Sequence, residues 1–409
     1  MRERSDAGKM RGGGMAVFLA VALGIYGLVN FYIGRRGWQA LASYPGLRRA
    51  VLGLFLVLVL AYPLGRIAMG FGRNSLAGLA VKAGSFHLAL MLYLFLGVLA
   101  VDVLRLLNSV LRIVPRTAGG PGRTGLILFL VVAGAAVVTV AGGAVNAARP
   151  RVRELAVAID KPAPGLGGLT VAVASDVHLG TIAGSSRLRA LVDRLNALGP
   201  DHILLPGDIV DESVTAKEEE AMTEVFQRLR PRLGVFSVPG NHEYYGDFER
   251  NIAYLRKWGV TVLQDEAVLV GGAIYIIGRR DPTALRRGEA RTPIEEIMRR
   301  AGVDARRPLI LLDLQPLGLE EAERAGIDLE LSGHTHAGQL FPMNIVNKLI
   351  YEQNWGSLRK GRTQYYVSCG VGTWGPPVRT GSIPEIVLIR LTFGPDRWAG
   401  GLAPAGGSR

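Results

Sequence analysis

Cysteine is almost absent. The 409-residue chain has one, Cys369, so it can form no intrachain disulfide and no cysteine-based zinc site. Acidic residues are nearly missing from the first third: residues 1–150 hold 16 Lys+Arg against 3 Asp+Glu, while the remainder holds 31 of each. The whole net charge of +13 therefore sits in that first third. A nucleic-acid reader would carry its basic excess on the folded, water-facing body, and the balanced remainder argues against such a partner. The soluble part contains no internal repeat, which excludes a solenoid or propeller. Histidine is scarce too, with six in all.

What the first third has is hydrocarbon. Residues 15–34, 50–65, 83–101 and 124–148 form four apolar runs separated by arginine-bearing loops. Each is near the roughly 20 residues needed to cross a bilayer core, and Arg66 at the end of the second can snorkel. The pattern predicts an all-α region of four transmembrane helices over 1–150, and hence a multi-pass cell-membrane protein. Arg35, Arg36, Arg48 and Arg49 bracket the first loop as interfacial charges do. Four spans put both ends on one side, and the loops on that side collect ten Lys+Arg against eight opposite. The count leans toward a cytoplasmic C-terminal body. Apart from His87 and Asp102 the spans lack ionisable groups, which leaves little for a transporter. His87 reads as a neutral imidazole bonded between helices.

After residue 150 short apolar runs alternate with helical spacing. Residues 169–174, 202–205, 235–238, 309–312 and 329–331 read as buried strands. Leu188, Leu191, Val192, Leu195 and Leu198 follow a helical period that stops at Gly199-Pro200. Asp247 is placed to cap a helix ending at Gly259, and Thr292-Pro293 to open another. This predicts an α/β layered domain over 151–395 and a flexible Gly/Ala/Pro tail over 396–409.

The strand ends carry the chemistry. "SDVHLG" supplies Asp176 and His178, "PGDIVD" supplies Asp208, "PGNHEYY" supplies Asn241, His242 and Glu243, and "GHTH" supplies His334 and His336. In open α/β sheets ligands bind beyond the carboxyl ends of strands, so these groups should converge. Asp176 and His178, two apart, should point the same way if the backbone stays extended. Glycines at 207, 240 and 333 precede the polar residues, where a chain turns sharply or approaches something closely. Carboxylates so close repel unless a cation compensates them. Oxygen and imidazole donors without thiolate suit Mn, Fe, Zn or Co rather than Ca. Asp208 is positioned to bridge two ions, roughly 3.5–4 Å apart in two-metal hydrolases.

"SDVHLG", "GDIVD", "GNHEYYGD" and "SGHTHAGQLFP" together resemble the signature of the calcineurin-like metallophosphoesterase superfamily, and most of all its membrane-associated bacterial branch. The resemblance covers roughly residues 153–392, including "GTWGPPVRTGSIPEIVLIRL". It implies a four-layer α/β/β/α sandwich and two divalent metal ions. Asp176, His178, Asp208 and His336 would hold the first, and Asp208, Asn241 and His334 the second. His242 would be the catalytic non-ligand that protonates the leaving group or steadies the phosphate. One position departs from the pattern: where the family has a further histidine on the second metal, "PLILLDLQP" places Leu314. His202 begins a strand whose far end bears Asp208, and Asp313 should face away by alternation. The second ion is then bound weakly, or is completed through Asp313, or is lost.

The function expected is hydrolysis of a phosphodiester or pyrophosphate by a metal-bound hydroxide. The substrate is a phosphorylated small molecule or a lipid held near the bilayer. The alternative is a metal-binding sensor with little turnover. Arg279, Arg280 and Asp281 read as an exposed turn rather than a phosphate contact, and Arg379 likewise. Tyr244 and Tyr245 either line a substrate mouth or pack in the core.

Overall fold

The computed structural model describes residues 2–72, 74–112, 121–211 and 216–394, without the side chains of 2–16, 18, 121–122 and 216–217. The tail expected over 396–409 lies outside the described residues, as do Arg73 and Arg116 of the orientation count. The chain divides into two compact units, Met1–Gly142 and Gly143–Arg409.

The first unit is helical: α1 (Arg2–Ala40), α2 (Pro45–Phe71), α3 (Ser75–Leu111) and most of α4 (Pro121–Ala147). Three stretches, Pro45–Phe71, Ser75–Leu111 and Arg123–Ala147, are long and apolar enough to cross a membrane. The fourth expected span, residues 15–34, lies in α1 and begins among side chains outside the described residues. Small residues let α2 and α3 close on each other. A Cβ added to Gly84 would meet Tyr62 N at 2.3 Å, and one on Gly65 would meet Val81 N at 2.9 Å. His87 is buried, with Nε2 2.9 Å from Asn30 Oδ1 of α1, the interhelical bond expected of it. Asp102 accepts from Tyr32 Oη at 2.5 Å and pairs with Arg36 at 2.6 Å.

The second unit holds twelve described strands: β1 (Arg151–Ile159), β2 (Leu169–Val173), β3 (His202–Leu205), β4 (Val235–Ser237), β5 (Val260–Val262), β6 (Glu266–Val270), β7 (Ile274–Gly278), β8 (Leu309–Leu312), β9 (Leu329–Ser332), β10 (Gly356–Lys360), β11 (Thr363–Val367) and β12 (Glu385–Phe393). They form two six-stranded mixed sheets, ordered β1-β12-β2-β3-β4-β5 and β10-β11-β9-β8-β7-β6. The helices are α5 (Ser185–Ala197), α6 (Ala216–Phe226), α7 (Asn241–Tyr245), α8 (Phe248–Lys257), α9 (Ile294–Arg300), α10 (Glu320–Arg324) and α11 (Met343–Ile350).

Alternation along each strand sorts its residues into layers. Val171, Val173 and Leu204 of the first sheet meet Ile274, Ile276, Ile310 and Leu312 of the second. Ala172, Ile203 and Leu205 face outward onto Leu188 and Leu195 of α5, Met222 of α6 and Leu255 of α8. Tyr275, Ile277, Leu309 and Leu311 face outward onto Ile294 and Ile297 of α9 and Ala322 of α10. With apolar neighbours on both faces, these strands carry continuous apolar runs. The result is two sheets packed face to face with helices outside each, the α/β/β/α order.

Local signals hold to within a residue. Asp247 caps α8, accepting from Arg250 N at 3.3 Å, and Gly259 closes that segment at φ 84°. The helix expected to open at Thr292-Pro293 begins at Ile294 with Pro293 as its cap. Thr292 N is instead taken by Asp265 Oδ2 at 3.0 Å, which holds that residue in the preceding loop.

Candidate metal centre

The loops after β2, β3 and β9 and the start of α7 after β4 carry the site. Their backbone is unusual. Of nine described non-glycine residues with positive φ, five are Asp176, His178, Asp208, His334 and His336, at 48–71°. Such conformations cost on the order of 1–3 kcal/mol each and persist only where the surroundings enforce them. Here the loops are stitched together. Asp176 N donates to Gly207 O at 3.1 Å, and His178 N to Asp208 O at 3.0 Å. His334 N donates to Asp176 Oδ1 at 2.9 Å, and His242 N to Asp208 Oδ1 at 2.9 Å. The extended pair expected at Asp176 and His178 is corrected by this geometry. The strand ends at Val173, and two left-handed residues rather than a β-alternation bring the donors together.

The glycines serve close approach. A Cβ on Gly240 would lie 2.2 Å from Asp208 Oδ1, and one on Gly333 2.3 Å from Asp176 Oδ2.

Asp176, His178 and His336 each bring one donor atom within 4.8 Å of the others. His178 Nε2 and His336 Nε2 are 3.0 Å apart, and His336 Nε2 is 3.7 Å from Asp176 Oδ1. Asp208 is buried beside them, its pKa raised well above the carboxylate range by burial, then by the charges of Glu243 and Asp176. Asn241 Oδ1 is buried and accepts no hydrogen bond among the described residues. His334 is outside this three-residue group, with its ring 6.2 Å from Tyr351 and its pKa lowered mainly by burial. A buried set of carboxylate, amide and imidazole donors fits a divalent ion.

A second cluster joins His178, Asp211 and His242. Asp211 Oδ1 lies 2.5 Å from His242 Nδ1 and 3.3 Å from His178 Nδ1. Burial alone would raise the Asp211 carboxyl, but the two histidines outweigh it and hold it below the usual range. Sequence reasoning passed over this residue, although it ends the quoted "GDIVD". It also passed over Glu243 as a support. That carboxylate is fully buried and accepts from Asp208 N, Ile209 N, Val210 N and Gly240 N at 2.7–3.2 Å. Burial raises its pKa against those four donors.

Leu314 stands at the site. It is fully buried, its carbonyl accepts from Gly333 N, and its Cδ2 would lie 2.6 Å from a Cβ on Gly240. Asp313 does not replace the missing imidazole. It pairs with Arg291 and lies 3.7 Å from Arg279, on the other face of the strand.

Two expectations of exposed turns are corrected. Arg279 is 4% exposed and Asp281 fully buried. Arg279 pairs with Glu321 at 2.5 Å, and Asp281 accepts from Thr283 N and Gln315 Nε2 at 2.8 and 2.9 Å. Arg379 is also fully buried: its Nη2 lies 2.9 Å from His336 Nδ1 and donates to Gly372 O at 2.6 Å. Charged groups pulled inside by partners distant in sequence cannot be told from surface turns by local pattern. Of the tyrosine alternatives, core packing holds for Tyr244 only. Tyr244 is buried and stacked on Phe248, whereas Tyr245 is exposed with its ring 5.3 Å from His242.

A sequence profile described as Calcineurin-like phosphoesterase matches residues 169–338. A zebrafish (Danio rerio) "Transmembrane protein with metallophosphoesterase domain" is 31% identical across 92% of this chain and 79% of its own length. An "Uncharacterized metallophosphoesterase" of Aquifex aeolicus is 36% identical over 53% of this chain and 83% of its own. One from Helicobacter pylori is 34% identical over 60% of this chain, which spans 64% of that relative's length. The chain belongs to the calcineurin-like metallophosphoesterase family, whose members typically bind divalent metals.

Proposed function

We propose that the chain is a membrane-anchored, metal-dependent phosphoesterase acting on a phosphodiester or pyrophosphate. Four spans over 1–150 would anchor a catalytic body over 151–395. The observation that carries this reading is the convergence of Asp176, His178 and His336 beside buried Asp208 and the unpartnered Asn241 Oδ1. Asp176, His178, Asp208 and His336 would hold the first ion, and Asp208, Asn241 and His334 a second. A divalent ion bound there would activate water as a nucleophile near neutral pH and polarise the phosphoryl oxygen.

The chain's own groups supply the rest. Asp211 receives the Nδ1 proton of His242 at 2.5 Å, which fixes the tautomer and leaves Nε2 as the nitrogen offered to substrate. Protonated, that nitrogen gives its proton to the leaving oxygen, a contribution of about 10²–10⁴-fold to the rate. Glu243 holds the Asp208 loop by four backbone N–H groups, so the bridging carboxylate is placed before substrate arrives.

Leu314 beside Asp208 supports a second reading, a metal-holding sensor with little turnover. The retained His242–Asp211 pair favours the enzyme, because a structural ion needs no proton donor next to it.

The test is Mn²⁺-dependent hydrolysis of bis-p-nitrophenyl phosphate by the full-length chain in detergent. Turnover is expected, with loss in both Asp208→Ala and His242→Ala. A wild type no faster than His242→Ala, though it binds metal, sinks the enzyme reading and leaves the sensor.

A further inference from the structure

We propose that α11 is a bilayer-docking helix and that the site at its root takes a phosphate ester whose apolar part stays in the lipid. This rests on the membrane-anchored reading above. α11 follows the GHTH loop, and none of its residues is buried. Met343, Ile345, Val346, Leu349 and Ile350 are exposed, Leu349 by 83% and Ile350 by 63%. A helix facing water carries polar residues on its open side, whereas a contiguous apolar face marks an interaction surface. The opposite side is tied to the metal loop: Asn347 Nδ2 donates to Thr335 O at 2.7 Å, between His334 and His336.

The course of the chain within Gly143–Arg409 says what covers that face. The last turn of α4, which ends a candidate span, is bonded to the loop 379–382. Arg379 N donates to Gly143 O at 2.9 Å, and Asn146 Nδ2 donates to Arg379 O and Ser382 O, both at 2.9 Å. The same loop grips the start of α11: Phe341 N donates to Thr380 Oγ1 at 3.0 Å, and Thr380 N and Gly381 N donate to Gln339 O at 2.9 Å. α11 therefore begins one loop away from where a spanning helix leaves the bilayer. Its eight residues extend only about 12 Å at the usual rise, so its apolar face stays near that plane. Tyr245 and Trp374, 61% and 59% exposed, stand with ring centroids 5.3 and 6.0 Å from His242. Exposed aromatics of this kind favour the bilayer interface. An ester drawn from the lipid would meet His242 and the metal cluster with its tail still against α11.

The test uses the full-length chain in nanodiscs of phosphatidylcholine and phosphatidylglycerol. Cys369, the only native thiol, is buried, so Leu349→Cys can be labelled selectively with a polarity-sensitive fluorophore. Arg306→Cys, at a side chain 89% exposed, is the control. The expected result is a blue shift at 349 and loss of emission when lipids with shallow nitroxides are included, with neither at 306. Emission at 349 quenched by aqueous iodide as strongly as at 306 overturns the proposal. A blue shift insensitive to both quenchers assigns the face to a protein cover, a second copy included, and also overturns it. Ile345→Cys repeats the measurement should Leu349→Cys fold poorly. Alkaline carbonate extraction comes first: release of the wild type defeats the anchored reading, whereas retention with a water-exposed label defeats only the docking.

The substrate half has its own arm. In the same nanodiscs, Ile345→Asp/Leu349→Asp should lose turnover of p-nitrophenyl hexadecyl phosphate while hydrolysing bis-p-nitrophenyl phosphate as fast as wild type. An equal effect on both, or on neither, refutes lipid-phase access. No turnover of either diester by wild type points to failure of the enzymatic reading instead.

Discussion

Leu314→His restores an imidazole where the family's pattern places one. The side chain is fully buried against Gly207 and Gly240. Without metal the substitution loses the burial of a leucine and buries a polar ring with no partner, for a combined cost of about 3–6 kcal/mol. At about 2–4 °C per kcal/mol for a domain of this size, that lowers Tm by roughly 6–24 °C. With a second ion present the ring gains its partner. Binding at 100 times Kd contributes about 2.7 kcal/mol, so Mn²⁺ should recover roughly 5–10 °C in the variant beyond any gain in wild type. The assay pairs tryptophan-fluorescence melts with metal content by plasma mass spectrometry after gel filtration. Of the five tryptophans, Trp258, Trp355 and Trp374 are described residues of the second unit and report on it. Wild type should retain one ion per chain and the variant two, with diester turnover rising accordingly. A wild type that already retains two ions refutes the reasoning, and so does a variant that melts lower with no answering gain from Mn²⁺.

Two further outcomes follow from the same geometry. Asp211→Asn should cut kcat by about 10²–10⁴-fold, and Asp211→Asn/His242→Ala should be little worse than His242→Ala alone; fully additive losses would separate the two residues. Glu330 of β9 is buried, and burial, with the charge of Asp313, pushes its pKa up to about 8. Since that lies above the unfolded value of about 4.3, the stability Glu330 contributes is complete below that pH and lost as pH rises through about 8, by at most about 1.4 kcal/mol per pH unit. Glu330→Gln should flatten this decline in melts recorded between about pH 5 and about pH 9, and an unchanged slope would place the proton elsewhere.

Hydropathy and spacing carried the broad plan, because both depend on neighbours in the chain. An uncharged run such as 50–65 is legible anywhere, and each of the strand runs from 169 to 331 needed apolar neighbours on both faces. The four motifs were legible because each donor follows a strand end in order, so the fold had only to bring those ends together. The placement of β12 between β1 and β2 joins segments more than two hundred residues apart, and nothing local marks it. The same holds for the partners of Asp211, Arg279, Asp281 and Arg379: nothing local marks them, and each residue found its partner across the tertiary structure. The left-handed backbone at Asp176, His178, Asp208, His334 and His336 is a long-range effect too: Asp and His adopt it more readily than most side chains but still rarely, and here hydrogen bonds between loops distant in sequence hold it. Sequence by itself determined which residues have metal chemistry to offer and that the first third carries helices long and apolar enough to cross a membrane. Tertiary structure alone decided how those donors are held, that Asp313 turns away from them to its arginines, and that an open apolar helix lies at their edge, because burial and contact between distant segments are not properties of any single stretch of chain.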